Sequence, residues 1–178
     1  MTTRAVVLAA SRAELRTLLA SGHSIDSSRL DDTVYRGISL GLPAWVERLS
    51  WKKFAKVFHR DARTGRLRGW NVRIEQDGLD RPWRARVRDG QPWTFGHFAV
   101  VAERDRLLLD YGAGGNPRMD PLNALRDPLV ALRAGSVELL LGWSYLALGP
   151  ARIPTPSYFL LERDAALEPA AIARAPRP

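Results

Sequence analysis

The chain has 178 residues, 46% of them hydrophobic, a formal net charge of +8 and no cysteine. That is enough for one domain with a packed core, and it excludes a disulfide framework and thiolate metal binding. The apolar run from Ala5 to Ala10 is too short for a secretory core or a bilayer span, so a cytoplasmic protein without a transmembrane segment is expected.

In chain order, Ser11-Arg12-Ala13-Glu14 is a capping box, and Leu15, Leu18 and Leu19 follow at helical spacing. They predict a helix over residues 11–20, followed by a polar connector over 21–32. Residues 33–40 alternate β-branched, aromatic and polar side chains and predict the first strand. Pro43 suits the first turn of a short helix whose apolar face is Trp45, Val46 and Leu49. Trp51, Phe54 and Phe58 fit a continuation of that helix. The turn at 61–65, opened by Asp61 and closed by Gly65, favours instead a hairpin of strands 51–60 and 67–74.

Further strands are predicted at 81–88, 93–101, 106–111, 137–148 and 157–163. The Gly-, Pro- and Asn-rich stretch 112–128 reads as a long loop. Residues 1–164 form one expected domain, and 165–178 an Ala- and Pro-rich flexible tail. So many hairpins in a chain of this size predict a mainly antiparallel β-barrel holding a small molecule. The alternative, if 51–60 were helical, is an α+β sheet wrapped around a helix.

Alternation places Trp93, Phe95, His97 and Ala99 on one face, which makes His97 a candidate general base or ligand-orienting donor. His59 beside Asp61 is a second candidate base. Asp110 and Tyr111 close an apolar strand and open the Gly-rich loop, where they are placed to hold a polar head group. Tyr35, Trp70, Asn71, Val72, Trp143 and Tyr145 complete the expected lining. Three scattered histidines give no metal spacing, and no cofactor motif is present.

Between Arg48 and Arg88 thirteen basic residues face four acidic ones. Arg84, Arg86 and Arg88 share a strand face, which reads as a solvated surface or a contact for an anionic polymer. No nucleic-acid-binding motif accompanies them.

Three stretches carry a resemblance: Thr33-Val34-Tyr35-Arg36-Gly37, Leu49-Ser50-Trp51-Lys52-Lys53-Phe54, and the closing strands from Gly142 to Arg163. They resemble the bacterial G-x-W-x-G family of unknown function. The resemblance implies a lipocalin-like β-barrel with one or two short helices and a small-molecule cavity, and it supplies no catalytic residues. The expected function is therefore binding of an apolar or amphipathic small molecule. The alternatives are an isomerase or cyclase using histidine for proton transfer on a hydrophobic substrate, and anionic-polymer binding through the Arg-rich 48–88 surface. Oligomeric state has no signature in the sequence.

Overall fold

The structure, a computed structural model, describes residues 2–41 and 52–164. The expected short helix after Pro43 lies outside the described residues.

The chain opens with two short helices, α1 (Arg4–Ala9) and α2 (Arg12–Ala20). The Ser11–Glu14 box caps α2 from both sides, as its spacing predicts. Helix α1 has no such signal; its N-terminus is capped by the Thr3 hydroxyl, which accepts from the Val6 N–H. Leu15 and Leu19 of α2 pack on the outer face of the barrel against Ile38, Val130, Leu141 and Leu160.

The strands are β1 (Thr33–Leu40), β2 (Lys53–Arg60), β3 (Leu67–Arg73), β4 (Val87–Arg88), β5 (Gln91–Pro92), β6 (Thr94–Glu103), β7 (Arg106–Asp110), β8 (Leu125–Ala131), β9 (Leu139–Leu148) and β10 (Ala151–Arg163). Eight of them close an antiparallel barrel in the order β1-β2-β3-β6-β7-β8-β9-β10, with β10 returning to β1. Each pairs with its neighbour in sequence, so the barrel is up-and-down, matching the lipocalin-like arrangement expected. Residues 53–60 are a strand, which removes the alternative of a sheet around a helix.

Two expectations need correction. The loop predicted over 112–128 contains two 3-10 turns, Tyr111–Ala113 and Pro121–Ala124, and then runs into β8. The long strand predicted over 81–88 is not continuous. Ala85 makes a single bridge to Ile74, and only Val87 and Arg88 form a short hairpin with β5. This excursion covers the outer face of β3, where Trp83 and Ala85 pack against Trp70, Val72 and Ile74.

Inside the barrel, Tyr35, Phe58, Phe98, Leu109, Leu129, Leu140 and Leu161 fill one end. Ile25 and Leu30 from the connector before β1 join them and close that end. The Tyr35 hydroxyl donates to the Val137 carbonyl at 2.9 Å within the same plug.

Three interior phenylalanines each face a glycine directly across a strand pair: Phe54 opposite Gly37, Phe98 opposite Gly69, and Phe159 opposite Gly142. The absent side chain leaves the space that each ring occupies. This is the cross-strand pairing of an aromatic with a glycine that lets a tightly curved barrel stay packed.

Candidate functional site

The opposite end of the barrel holds a cavity of about 210 Å³. Its apolar wall comes from Phe54, Phe95, Leu122, Leu125 and Phe159, and its polar floor from Lys56, Asn71, Tyr111 and Asp127, with three serines at the margin.

Alternation along each strand brings the polar groups together. Phe54, Lys56 and Phe58 share the inner face of β2, while Ala55 and Val57 face outward. Asn71 comes from β3 and Asp127 from β8. Tyr111 follows β7, held by the 3-10 turn that Asp110 caps.

The Lys56 Nζ donates to the Tyr111 hydroxyl at 2.9 Å, and that hydroxyl donates to Asp127 Oδ2 at 2.9 Å. The Lys56 ammonium lies 3.9 Å from the same carboxylate oxygen. Asn71 Nδ2 donates to the Gly96 carbonyl at 3.1 Å and reaches the Tyr111 oxygen at 3.5 Å. Rings surround the lysine, with Nζ 4.6 Å from the centre of Phe98 and 5.1 Å from that of Phe159. Such contacts stabilise an ammonium that has left water.

Lys56 is 1% exposed and Asp127 3%. Burial pulls the Lys56 pKa down to about 8, with the Asp127 charge opposing the fall. Burial also lifts Asp127 above the usual carboxylate range, against the opposing pull of Lys56 and the hydroxyls of Ser144 and Tyr111. Tyr111 is pushed far above ordinary phenols, first by burial and then by the Asp127 charge. Both ends of the chain are thus displaced toward their neutral forms.

Asp127 Oδ1 has no hydrogen-bond partner although it is buried. A buried acceptor left open costs about 1–3 kcal/mol.

The residues expected from sequence divide in two. Asn71, Phe95 and Tyr111 line the cavity. Tyr35 points inward but belongs to the closed end. Trp70, Val72, Trp143 and Tyr145 lie on the outer face, under the 74–93 excursion or beside α2 and β10. Trp93 sits at the margin of the sheet, 4.2 Å from the Arg73 guanidinium on one side and 5.5 Å from that of Arg88 on another. Asp110 pairs with Arg126 at 3.1 Å and caps the following turn, so its carboxylate is used outside the cavity.

His97 also faces outward, its ring 6.3 Å from that of Trp70. The reason is a bulge: Trp70 alone opposes both Gly96 and His97, between the pairs Gly69–Phe98 and Asn71–Phe95. Gly96 takes φ +55°, a conformation open to glycine, and the extra residue turns Phe98 inward in place of His97. Desolvation holds the His97 pKa below its ordinary value. His59 pairs with Asp32 at 2.6 Å at the closed end, not with Asp61, whose carboxylate caps its own turn.

Sequence reasoning missed Lys56 and Asp127. A signal for Lys56 was present, since it stands between Phe54 and Phe58 on one strand face. Asp127 had none, because Pro128 beside it argues against an interior strand.

A larger cleft of about 640 Å³ beside α1 and α2 is lined by Val6, Ala9, Ala13 and Leu18. Its one titratable group, Glu14, is committed to the capping box. Among the described residues no group of three or more His, Asp or Glu is placed to hold a metal, and no helix is long and apolar enough to cross a membrane. Compared with known proteins, the sequence matches no family model and no curated relative.

Proposed function

We propose that the barrel binds a small amphipathic molecule, its apolar body against Phe54, Phe95 and Phe159 and an oxygen-bearing head at Lys56, Tyr111 and Asp127. The buried Lys56–Tyr111–Asp127 cluster carries this reading, because it places a polar chain in the wall of an otherwise largely apolar cavity. A hydroxyl answers both sides: it donates to Asp127 and accepts from Lys56. The cavity equals the liquid volume of about seven waters, which suits a ligand smaller than a drug-sized molecule. The resemblance of the end strands to the G-x-W-x-G family belongs to the same proposal.

The test is native mass spectrometry of protein from its own host, followed by denaturing extraction. A recovered small molecule that is lost from the Asp127→Asn variant supports the reading. Protein that is consistently empty and binds no member of an alcohol and acid library counts against it.

A second reading, proton transfer on the bound molecule, draws on one observation: Tyr111 links an amine and a carboxyl that are both displaced toward neutrality. Lys56 then takes the role of base expected of histidine. Turnover that survives Lys56→Met would exclude it.

A further inference from the structure

We infer that Lys56 captures carbonyl compounds within the barrel, its Nζ adding to an aldehyde or ketone carbon to hold the ligand as a reversible imine. The inference rests on the small-molecule reading above and names a ligand class for the same cavity.

Three features of the geometry carry it. First, Lys56 is one of the residues that line the cavity, and its amine is bonded to Tyr111 within it. Among the described residues its Nζ hydrogen-bonds only Tyr111. Second, the walls nearest the nitrogen are the rings of Phe98, Phe159, Tyr111 and Phe54, at 4.6–5.7 Å, which exclude the water that would reverse the condensation. Third, the Lys56–Tyr111–Asp127 chain moves a proton without outside help. Tyr111 passes its proton to Asp127 Oδ2 and takes one from the ammonium, leaving a free amine and a neutral carboxylic acid in one exchange.

The amine lone pair then adds to the carbonyl carbon as the C=O electron pair moves to oxygen. A proton shift from nitrogen to that oxygen gives a neutral carbinolamine. The nitrogen lone pair forms C=N as the hydroxyl leaves with the proton from Asp127, and the iminium passes its proton back along the chain. Amine and carbonyl become imine and water, with no change of oxidation state. The lowered proton affinity of Lys56 and the raised one of Asp127 both favour the starting exchange.

The chain has three lysines, and the others differ in setting. Lys53 faces outward, bonded to Asp77 and to the Gly78 carbonyl at 2.7 Å. Lys52 is half-buried in the bend immediately before the same strand.

The experiment is reductive trapping of the full chain with benzaldehyde and sodium cyanoborohydride, read by intact mass and by fragmentation of the 52–56 region. One added benzyl group is expected on Lys56, in preference to Lys52 and Lys53 by about tenfold or more, as the lowered proton affinity of Lys56 predicts; an ordinary α-amine titrates at about 8 as well, so label on the terminal amine is separated from it by fragmentation. Labelling should persist in Lys52→Arg and Lys53→Arg, and excess benzyl alcohol should slow it at Lys56 alone.

Label spread over the other amines with Lys56 unmodified overturns the inference, and this readout on the unaltered protein needs no variant that folds poorly. Benzyl alcohol, followed by NMR of the Phe54 and Phe159 rings, separates the two readings. If the alcohol binds while benzaldehyde leaves Lys56 unlabelled, imine formation fails and non-covalent binding stands. If neither occupies the cavity, both fall for this ligand class.

Discussion

A Cβ built on Gly142 would lie 2.1 Å from Cζ of Phe159, the residue directly across the β9–β10 pair. The ring fills the space that the glycine leaves, and its centre is 5.1 Å from the Lys56 Nζ. Gly142→Ala must push the ring toward the cavity. The expected cost is about 1–3 kcal/mol, the usual range for overpacking, together with weaker ligand uptake. Urea unfolding and ligand titration check both. Gly65→Ala meets open space, so only its φ of +68° penalises the change, by about 1 kcal/mol and with no effect on the cavity.

Tyr111→Phe keeps the ring and removes the hydroxyl between Lys56 and Asp127. Asp127 Oδ2 loses its donor and Lys56 its acceptor, for an expected loss of about 2–3 kcal/mol in chemical denaturation. Tyr35→Phe is the control: its hydroxyl bonds a single carbonyl at the closed end, so about 1 kcal/mol should be lost and ligand binding left intact.

Lys56→Met leaves a carboxylate buried and uncompensated, at a cost of about 3–5 kcal/mol near neutral pH. Asp127→Asn in the same chain removes that charge. The double variant should therefore be more stable than Lys56→Met alone, and a double-mutant cycle from unfolding midpoints measures the coupling.

The pH dependence of stability follows from Lys56. Its pKa is about 8 in the fold, against 10.5 ordinarily. Between those values the unfolded chain binds the proton and the folded chain does not, so stability rises with pH. The penalty of the buried ammonium is fully present below pH 8 and is gone above 10.5. Its full size is of order 3 kcal/mol, given about 1.4 kcal/mol per pKa unit. The raised pKa of Asp127 acts oppositely at low pH, its contribution falling as pH climbs from 3.8 through the lifted value. Unfolding midpoints of wild type and Lys56→Met, compared from pH 7.5 to 11, should diverge as pH rises, the wild type gaining stability through Lys56 while the variant lacks that gain.

The barrel was legible because its hairpins carry local signals. Asp61 and Gly65 set one turn, and period-two alternation marks β1, β2, β3 and β9. The cavity was less legible, because inward and outward assignments depend on register. On β9 the inward residues are Leu140, Gly142 and Ser144, so size misled where the larger Trp143 and Tyr145 were expected inside. In β6 a single inserted residue at Gly96 reversed the parity that would have placed His97 inside. Asp127 and Pro128 disguised β8. Pro128 is tolerated there because the ladder to β9 is interrupted between Arg126 and Leu129. The polar residue that marks the site is also the one that made its strand unrecognisable.

Closure of the barrel by β1 and β10 has a consequence in time. Arg36 and Asp164, which pair at 2.6 Å across this seam, are 128 residues apart in sequence. A ribosome adding about 5–20 residues per second needs about 6–25 s to make that interval. Once β2 has been made it is available to cover one edge of β1, but the partner for the other edge, β10, is the last strand of the barrel to be synthesised. An open edge of this kind recruits foreign strands. Safe synthesis of this protein therefore depends on what shelters that edge until Tyr158 to Arg163 emerge.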